Sequence, residues 1–118
     1  MSNTSCRKAK EWLINHNLEF KEINWQTTGM SRREFNKILS LTETGIQEII
    51  SKRSLAYPYF AKEMDRLSLK DVFVLIHCER SLLRLPLIVD EERLQVGYNF
   101  DDIRQFIPRE KREMKRSL

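Results

Sequence analysis

Cys6 is the residue in the sequence that is best suited to chemical reactivity. It follows two hydroxyl residues, either of which can cap a helix running from about Cys6 to His16. The unpaired N–H groups and the dipole at the start of such a helix favour a thiolate, and Arg7 and Lys8 add positive charge. An exposed Cys6 would therefore have a lowered pKa and could act as a nucleophile or redox group. The alternative is a small residue buried beneath the helix.

The other residues suited to catalysis or metal binding are scattered along the sequence. His16 and His77 fall in different predicted helices with no Cys, Asp or Glu at ligand spacing, which argues against a metal site. His77 and Cys78 are adjacent, and neighbouring residues on a helix do not face each other, so they make a poor nucleophile–base pair. The two cysteines, Cys6 and Cys78, form no disulfide or zinc pattern. We expect no metal, no cofactor and no small-molecule substrate.

The composition is typical of one globular domain. The 118 residues are 41% hydrophobic and 32% charged, which is too apolar for a disordered chain. Its apolar runs are too short to span a bilayer, and its first residues are polar, unlike a signal peptide. We therefore expect a cytoplasmic protein that has no membrane partner. The net charge of +4 permits contact with acidic proteins or nucleic acid but requires neither.

The C-terminal part of the sequence predicts a β-hairpin followed by a helix. An apolar run at 87–89 is entered through Pro86, and residues 94–96 alternate as a half-buried return strand would. Asn99 can cap a helix that continues to Ile107. The apolar residues that share one face of this helix are Ile103, Phe106 and Ile107. Because a hairpin alone is unstable in water, the preceding chain must supply the rest of the sheet.

Further elements are predicted upstream. Residues 18–25 are predicted to form a strand, although their alternation of apolar and polar residues is imperfect. Two capping boxes, Ser31 with Glu34 and Ser68 with Asp71, each open a helix. The side chains predicted to face inward are Phe35, Ile38 and Leu39 in the first helix and Leu69, Val72, Phe73 and Ile76 in the second.

Gly45 lies in a turn between those two helices. Glycine here either permits a positive φ or lets another backbone come close. A short helix over 46–51 should follow, with its isoleucines on one side. Lys52 and Arg53 stand at its C-terminal end, which the helix dipole alone would explain, and a contact role is the alternative.

The chain resembles the Spx family of transcription regulators, which belong to the arsenate-reductase-like branch of the thioredoxin fold. The likeness runs in colinear order over nearly the whole chain and includes a long C-terminal signature. The matching stretches are TSCRKA and WL within residues 4–13, LTETG and EIISKRS within 41–54, and DEERLQVGYN, DIR and FIPR within 90–109.

The resemblance implies a fold: an α/β, thioredoxin-like (ArsC-like) mixed sheet with a helical insertion, in one domain. Residues 1–27 and 84–108 would form the thioredoxin-like part, and 28–83 the insertion. Residues 109–118 would be a basic tail, either solubilising or able to contact the phosphate backbone of DNA non-specifically within a polymerase complex.

The resemblance also implies a function. Spx proteins bind the C-terminal domain of the RNA polymerase α subunit and redirect transcription under thiol stress, without being enzymes. Gly45 matches a glycine in the polymerase-binding surface, where an added side chain would intrude on a close contact. Arg53 matches an arginine of the neighbouring helical region.

Two substitutions depart from the family pattern. Asn3 replaces the first residue of a Cys-x-x-Cys switch whose second residue is Cys6, so no intramolecular disulfide can form there. Leu85 replaces an arginine that precedes Pro86 in arsenate-reductase-like motifs. Arg84 stands one residue earlier, and in an extended chain it points to the opposite face. Both changes argue against reductase chemistry.

The third departure is the family's first strand, which precedes the Cys motif and is missing from this sequence. Its absence would leave unpaired backbone groups and an apolar trough in the sheet. Either a start further upstream restores the strand, or the chain needs a partner strand, and we expect the upstream start.

Two further functions remain open. One is an arsenate-reductase- or glutaredoxin-like thiol oxidoreductase that uses Cys6 as the nucleophile. The other is a degenerate paralogue that occupies the polymerase without responding to redox state. Direct reading of DNA is not indicated, because the sequence contains neither a recognition-helix motif nor an aromatic–basic stacking platform.

Overall fold

The computed structural model describes residues 4–108. The chain divides into two compact units, Met1–Lys21 with Leu85–Leu118, called here the terminal unit, and Glu22–Arg84, called the central unit. The predicted tail at 109–118 lies outside the described residues. The elements are α1 Thr4–Asn15, α2 Trp25–Thr28, α3 Arg32–Ser40, α4 Tyr57–Glu63, α5 Leu69–Cys78, β1 Leu87–Val89, β2 Leu94–Val96, and 3-10 helices at Ile46–Ile49, Arg80–Leu82 and Asp102–Phe106.

The terminal unit is built around the apolar face of α1. Ala9 and Trp12 on this face are buried together with Ile103 and Ile107. This burial removes apolar surface from water and is the main stabilising contribution that these contacts make. The partly buried residues that pack against this cluster are Leu13, Leu18, Ile88, Tyr98 and Phe106.

The predicted β-hairpin is confirmed. Strands β1 and β2 pair antiparallel, with Leu87 opposite Val96 and Val89 opposite Leu94. The turn is fixed by Asp90, whose Oδ1 accepts hydrogen bonds from the backbone N–H groups of the second and third residues after it, at 2.8 and 2.7 Å. Among the described residues the sheet contains these two strands alone.

The segment after the hairpin differs from the prediction in helix type. Asn99 does act as a cap, since its Oδ1 accepts from the N–H groups of Asp101 and Asp102 at 2.9 and 3.0 Å. The helix that follows is a 3-10 helix over Asp102–Phe106 rather than an α-helix over 99–107. Short helical pieces that connect to a core often take this tighter form. Ile103 and Ile107 are buried as predicted.

Both predicted capping boxes are present in the central unit. The Ser31 Oγ accepts from Glu34 N at 3.0 Å, and the Ser68 Oγ accepts from Asp71 N at 3.1 Å. In return, Ser68 N–H donates to the Asp71 carboxylate at 3.0 Å, and together with the Ser68 side chain this holds the pKa of Asp71 below its ordinary value. The first turns of α3 and α5 are therefore fixed by local polar contacts.

Six of the seven side chains predicted to face inward on these helices are buried or partly buried, with Leu39 and Phe73 partly buried. The residues buried as predicted are Phe35 and Ile38 on α3 and Val72 and Ile76 on α5. Leu69 was predicted to face inward, but it is 50% exposed. It is the first residue of α5, and because side chains on a helix tilt towards its N-terminus, Leu69 projects past the start of the helix.

The predicted strand over 18–25 is wrong. Residues 18–24 adopt no regular structure, and Trp25 begins the short helix α2. Asn24 caps that helix by accepting from Gln26 N–H at 3.1 Å. Among the described residues this segment has no strand partner, and Phe20 and Ile23 are exposed. Without a ladder partner, the local cap determines the conformation.

Backbone hydrogen bonds tie the middle of the central unit to its C-terminal end. Ile50 and Leu83 form an antiparallel bridge. Next to it, Ser51 N–H donates to Leu82 O and Arg84 N–H donates to Ile49 O, each at 2.7 Å. Ile49 and Leu82 are fully buried, so the turn that carries Gly45 leads directly into the core of this unit. No helix within 4–108 combines the length and apolar character that crossing a membrane requires.

Candidate functional site

Gly45 has a backbone conformation that few residues other than glycine adopt. Its φ is 98° and its ψ is −152°, immediately before the 3-10 helix Ile46–Ile49. A Cβ built at this position would meet no heavy atom within 4 Å. Of the two predicted reasons for glycine, the positive φ is confirmed, and no other part of the described chain approaches closely. A larger side chain at Gly45 would project into open space.

The turn around Gly45 is held from both sides. Glu48 N–H donates to Gly45 O at 3.1 Å, which closes the first turn of the 3-10 helix. The Glu48 carboxylate reaches back and accepts from Glu43 N–H at 2.9 Å. The buried residues Ile49 and Ile50 anchor the far end of the helix. The helix predicted over 46–51 is therefore present as a shorter 3-10 helix.

Arg53 lies in the turn that follows this helix, and its side chain is exposed. Its backbone N–H donates to Ser51 Oγ at 3.3 Å. Within residues 4–108, neither Arg53 nor the adjacent Lys52 places its side-chain charge in an ion pair or hydrogen bond. Both residues follow a helix of only four residues, so the dipole explanation for these basic residues is weak. Their charges remain available to a partner.

The structure places Cys6 in the terminal unit, in the first turn of α1, with Gly45 and Arg53 in the central unit. Cys6 is partly buried, between the two predicted extremes, whereas Cys78 is exposed. Arg84 is exposed and Leu85, in the position of the family arginine, is partly buried before a cis bond to Pro86. Asn3 lies outside the described residues. Within 4–108 no group of His, Cys, Asp and Glu is arranged to hold a metal ion.

A cluster that sequence reasoning missed joins α2 to the end of α5; we call it the Trp25 clasp, formed by Trp25, Gly29, Met30, His77 and Arg80. The Trp25 indole N–H donates to Arg80 O at 2.9 Å, and the Arg80 guanidinium lies 4.7 Å from the Trp25 ring centroid while donating to Trp25 O. Met30 N–H donates to His77 Nε2 at 3.2 Å, and His77 Nδ1 lies 2.7 Å from Phe73 O.

Gly29 fits inside this clasp only because it has no side chain. Its φ is 74°, and a Cβ would lie 3.0 Å from the His77 ring and 3.1 Å from Arg80 Nη1. The sequence carries one local signal of this arrangement, a glycine that follows a tryptophan and two threonines. The partners, His77 and Arg80, are about fifty residues away and could not be assigned from pattern alone.

Comparison with known proteins gives both close relatives and similar folds. The ArsC family model matches residues 1–106. The global transcriptional regulator Spx of Lactiplantibacillus plantarum is 48% identical over 114 residues, which cover 97% of this chain and 86% of that protein. The Spx of Streptococcus mutans is 46% identical, covering 97% of this chain and 83% of the relative.

Two solved structures show the same fold at lower identity. An ArsC family related protein from Bacteroides fragilis superposes with a TM-score of 0.74 at 19% identity, covering 88% of this chain and 89% of that one. A possible arsenate reductase from Streptococcus mutans gives a TM-score of 0.69 at 20% identity, covering 86% and 90%. These likenesses confirm the fold class predicted from the sequence, with the described sheet reduced to a small antiparallel pair.

Proposed function

Because the chain belongs to the ArsC family and to its Spx transcriptional regulators, we propose that it regulates transcription by binding the C-terminal domain of the RNA polymerase α subunit. It acts as a binding protein rather than an enzyme, and it works without an intramolecular disulfide, since Asn3 stands where the switch needs a second thiol. Its place of action is the cytoplasm, where bacterial transcription takes place. Within the polymerase complex the basic residues also contact the DNA backbone non-specifically.

The observation that carries this proposal is the open space beside Gly45. The positive φ explains why glycine is favoured there, and no described residue outside the turn occupies the space that a side chain would fill. A partner backbone can therefore approach Gly45 closely. The turn is also rigid, because hydrogen bonds and buried isoleucines hold it on both sides. A rigid recognition surface loses little conformational entropy on binding.

The test compares two substitutions at Gly45. Both Gly45→Ala and Gly45→Arg force a non-glycine residue into the same positive φ, so both lose about 1–3 kcal/mol of stability. Alanine adds one methyl group at the proposed close contact, whereas arginine adds much more bulk. We expect wild type to bind the purified polymerase domain, Gly45→Ala to bind about tenfold more weakly, and Gly45→Arg to lose about a hundredfold or more, which corresponds to roughly 3 kcal/mol. Equal binding by the two folded variants would contradict the proposal.

Arg53 supplies the charge on this surface. Its guanidinium has no partner among residues 4–108, so binding need not break an internal ion pair. We expect Arg53→Ala to weaken binding by about 5- to 30-fold, the range for a charge-assisted hydrogen bond. Arg33→Ala, which removes an exposed arginine from α3, is the matched control and should have little effect. Titration calorimetry at two salt concentrations would measure both.

A second candidate is a thiol oxidoreductase that uses Cys6. It is supported by the match to the ArsC family model and by the position of Cys6 in the first turn of a 12-residue helix. The discriminating measurement is the rate of alkylation near neutral pH, with Cys78→Ser isolating Cys6 and Cys6→Ser isolating the exposed Cys78. Reaction at Cys6 much faster than at Cys78, together with turnover of a disulfide substrate, would favour the enzyme.

A further inference from the structure

The turn before α4 and the first turn of α4 carry exposed apolar side chains. Leu55 is 99% exposed and Tyr59 is 55% exposed, and Pro58 between them is also exposed. The hydrogen bond from Tyr57 N–H to Ser54 O makes a turn that leads directly into α4. Leu55 therefore lies in the turn immediately before α4, and Pro58 and Tyr59 lie in the first turn of the helix. We call Leu55, Pro58 and Tyr59 the Leu55 face.

Leu55 is exposed although the residue before it is buried. The preceding residue, Ser54, is buried, and its Oγ lies 2.8 Å from Ser81 Oγ and accepts from Ala56 N–H at 3.1 Å. A hydrophobic residue in the position of Leu55 commonly packs on the fourth residue of the following helix, which here is Phe60. Phe60 is instead fully buried in the core and Leu55 makes no such contact. The leucine therefore has no structural role within the central unit.

Three exposed cations flank the Leu55 face in the sequence. Lys52 and Arg53 precede Leu55, and Lys62 follows Tyr59 by three residues on the exposed side of α4. Within residues 4–108, none of the three makes an ion pair or a side-chain hydrogen bond. Positive charges left without internal partners around an apolar centre are complementary to a surface with an apolar centre and a rim of carboxylates.

We propose that the Leu55 face, with its cationic rim of Lys52, Arg53 and Lys62, docks on an acidic protein surface that has an apolar centre. This inference rests on the proposed function, since it takes the polymerase α-subunit domain to supply that surface. Arg53 then serves both the turn near Gly45 and the Leu55 face. The site would be the apolar anchor of the complex, in addition to the close contact at Gly45.

A protein fits these observations better than a nucleic acid does. Tyrosine and arginine are enriched among the residues that dominate protein–protein binding energies, and an apolar anchor in the middle is typical of such interfaces. Three cations would neutralise few phosphates, and DNA affinity depends mainly on the number of phosphates neutralised. An apolar wedge into DNA remains the competing outcome that the experiment must separate.

The experiment measures binding of the full chain to the purified α-subunit domain and, separately, to a short DNA duplex. The variants are Leu55→Ser and Tyr59→Ser, with Val74→Ser as the matched control, because Val74 is 52% exposed on α5. We expect each of the first two to weaken binding to the domain about tenfold or more, and Val74→Ser to bind as wild type does. Urea unfolding should show unchanged stability for Leu55→Ser, since the side chain has no packing to lose.

The outcomes distinguish this inference from the proposed function. If wild type binds, Gly45→Arg does not, and Leu55→Ser binds normally, the Leu55 face is not a docking site but the proposed function stands. If wild type fails to bind the domain, both this inference and the proposed function are wrong. Equal weakening by Val74→Ser, or an effect of Leu55→Ser on the duplex without one on the domain, also overturns the inference. Lys62→Ala should weaken binding to the domain at low salt and have little effect at high salt.

Discussion

The terminal and central units differ in how far apart in sequence their polar contacts reach. The terminal unit has an apolar core of Ala9, Trp12, Ile103 and Ile107, and its side-chain caps at Asp90 and Asn99 bind neighbouring residues. Its buried Gln95 keeps one side-chain oxygen, Oε1, without a hydrogen-bond partner within residues 4–108. The central unit also has an apolar core and local capping boxes, and in addition the Trp25 clasp and the serine pair at 54 and 81 join segments that are far apart in sequence.

This difference bears on the surface that we propose for partner binding. Directional hydrogen bonds fix the position of a loop, so they suit a surface that must match a partner. Gly45, Arg53 and the Leu55 face lie in the unit whose distant segments are joined by such bonds. Cys6 lies in the other unit, partly buried in the first turn of α1.

The largest effect on stability is expected from removing the tryptophan side chain in the core of the terminal unit. Trp12→Ala removes a buried ring that contacts Ala9 and the two core isoleucines, and it should lower the free energy of unfolding by about 3–5 kcal/mol. Ile14→Ala, on the exposed side of the same helix, should change it by no more than about 0.5 kcal/mol. Urea unfolding measures both, and similar losses would show that α1 packs through a different face.

A pair of glycine substitutions compares steric fit in the clasp with an open turn. Gly29→Ala and Gly45→Ala each place a residue at positive φ, but only at Gly29 would the new Cβ contact His77 and Arg80. We expect Gly29→Ala to be the more destabilising by about 1–3 kcal/mol, the cost of overpacking. Thermal unfolding of the two variants provides the comparison. Equal losses would mean that the clasp yields to an added methyl group.

The hydrogen bond of the Trp25 clasp can be isolated with two tryptophan substitutions. Trp25→Phe removes the indole N–H that donates to Arg80 O at 2.9 Å and leaves that carbonyl without this donor. Trp12→Phe removes a similar ring area but no hydrogen bond to a described residue. We expect Trp25→Phe to cost about 1 kcal/mol more than Trp12→Phe in urea unfolding. The reverse order would show that the clasp is held by packing and not by this bond.

The smallest expected effect is on the free energy of unfolding at acid pH, to which the capping box of α5 contributes. The pKa of Asp71 is lowered in the folded protein by hydrogen bonds from Ser68, so its stabilising contribution is present above the unfolded pKa and disappears as pH falls through the folded one. We expect Asp71→Asn to flatten the pH dependence of stability below about pH 4 and to leave a small loss near neutrality. Urea unfolding at several pH values would test it. An unchanged acid slope would contradict the assignment.

Local signals in the sequence predicted much of the fold. The capping boxes at Ser31 and Ser68 and the hairpin with its Asp90 turn are each encoded within a few neighbouring residues, and all three are present. The strand over 18–25 was predicted wrongly because alternation says nothing about whether a pairing partner exists.

The candidate site was predictable only in part. The need for glycine at position 45 follows from a local turn, and its positive φ was one of two predicted explanations. The Trp25 clasp depends on residues far apart in sequence, which no local pattern joins. The exposure of Leu55 was equally hidden, because an apolar side chain in a sequence gives no sign that it faces outwards.

The contact between the Ser54 and Ser81 hydroxyls has a consequence for the turn before α4. It joins positions separated by 27 residues, so this turn is fixed in part by a distant segment of the chain. Local unfolding around Ser81 would therefore remove one of the contacts that hold the turn. The conformation of the exposed segment before α4 is thereby coupled to the folding of the rest of the central unit.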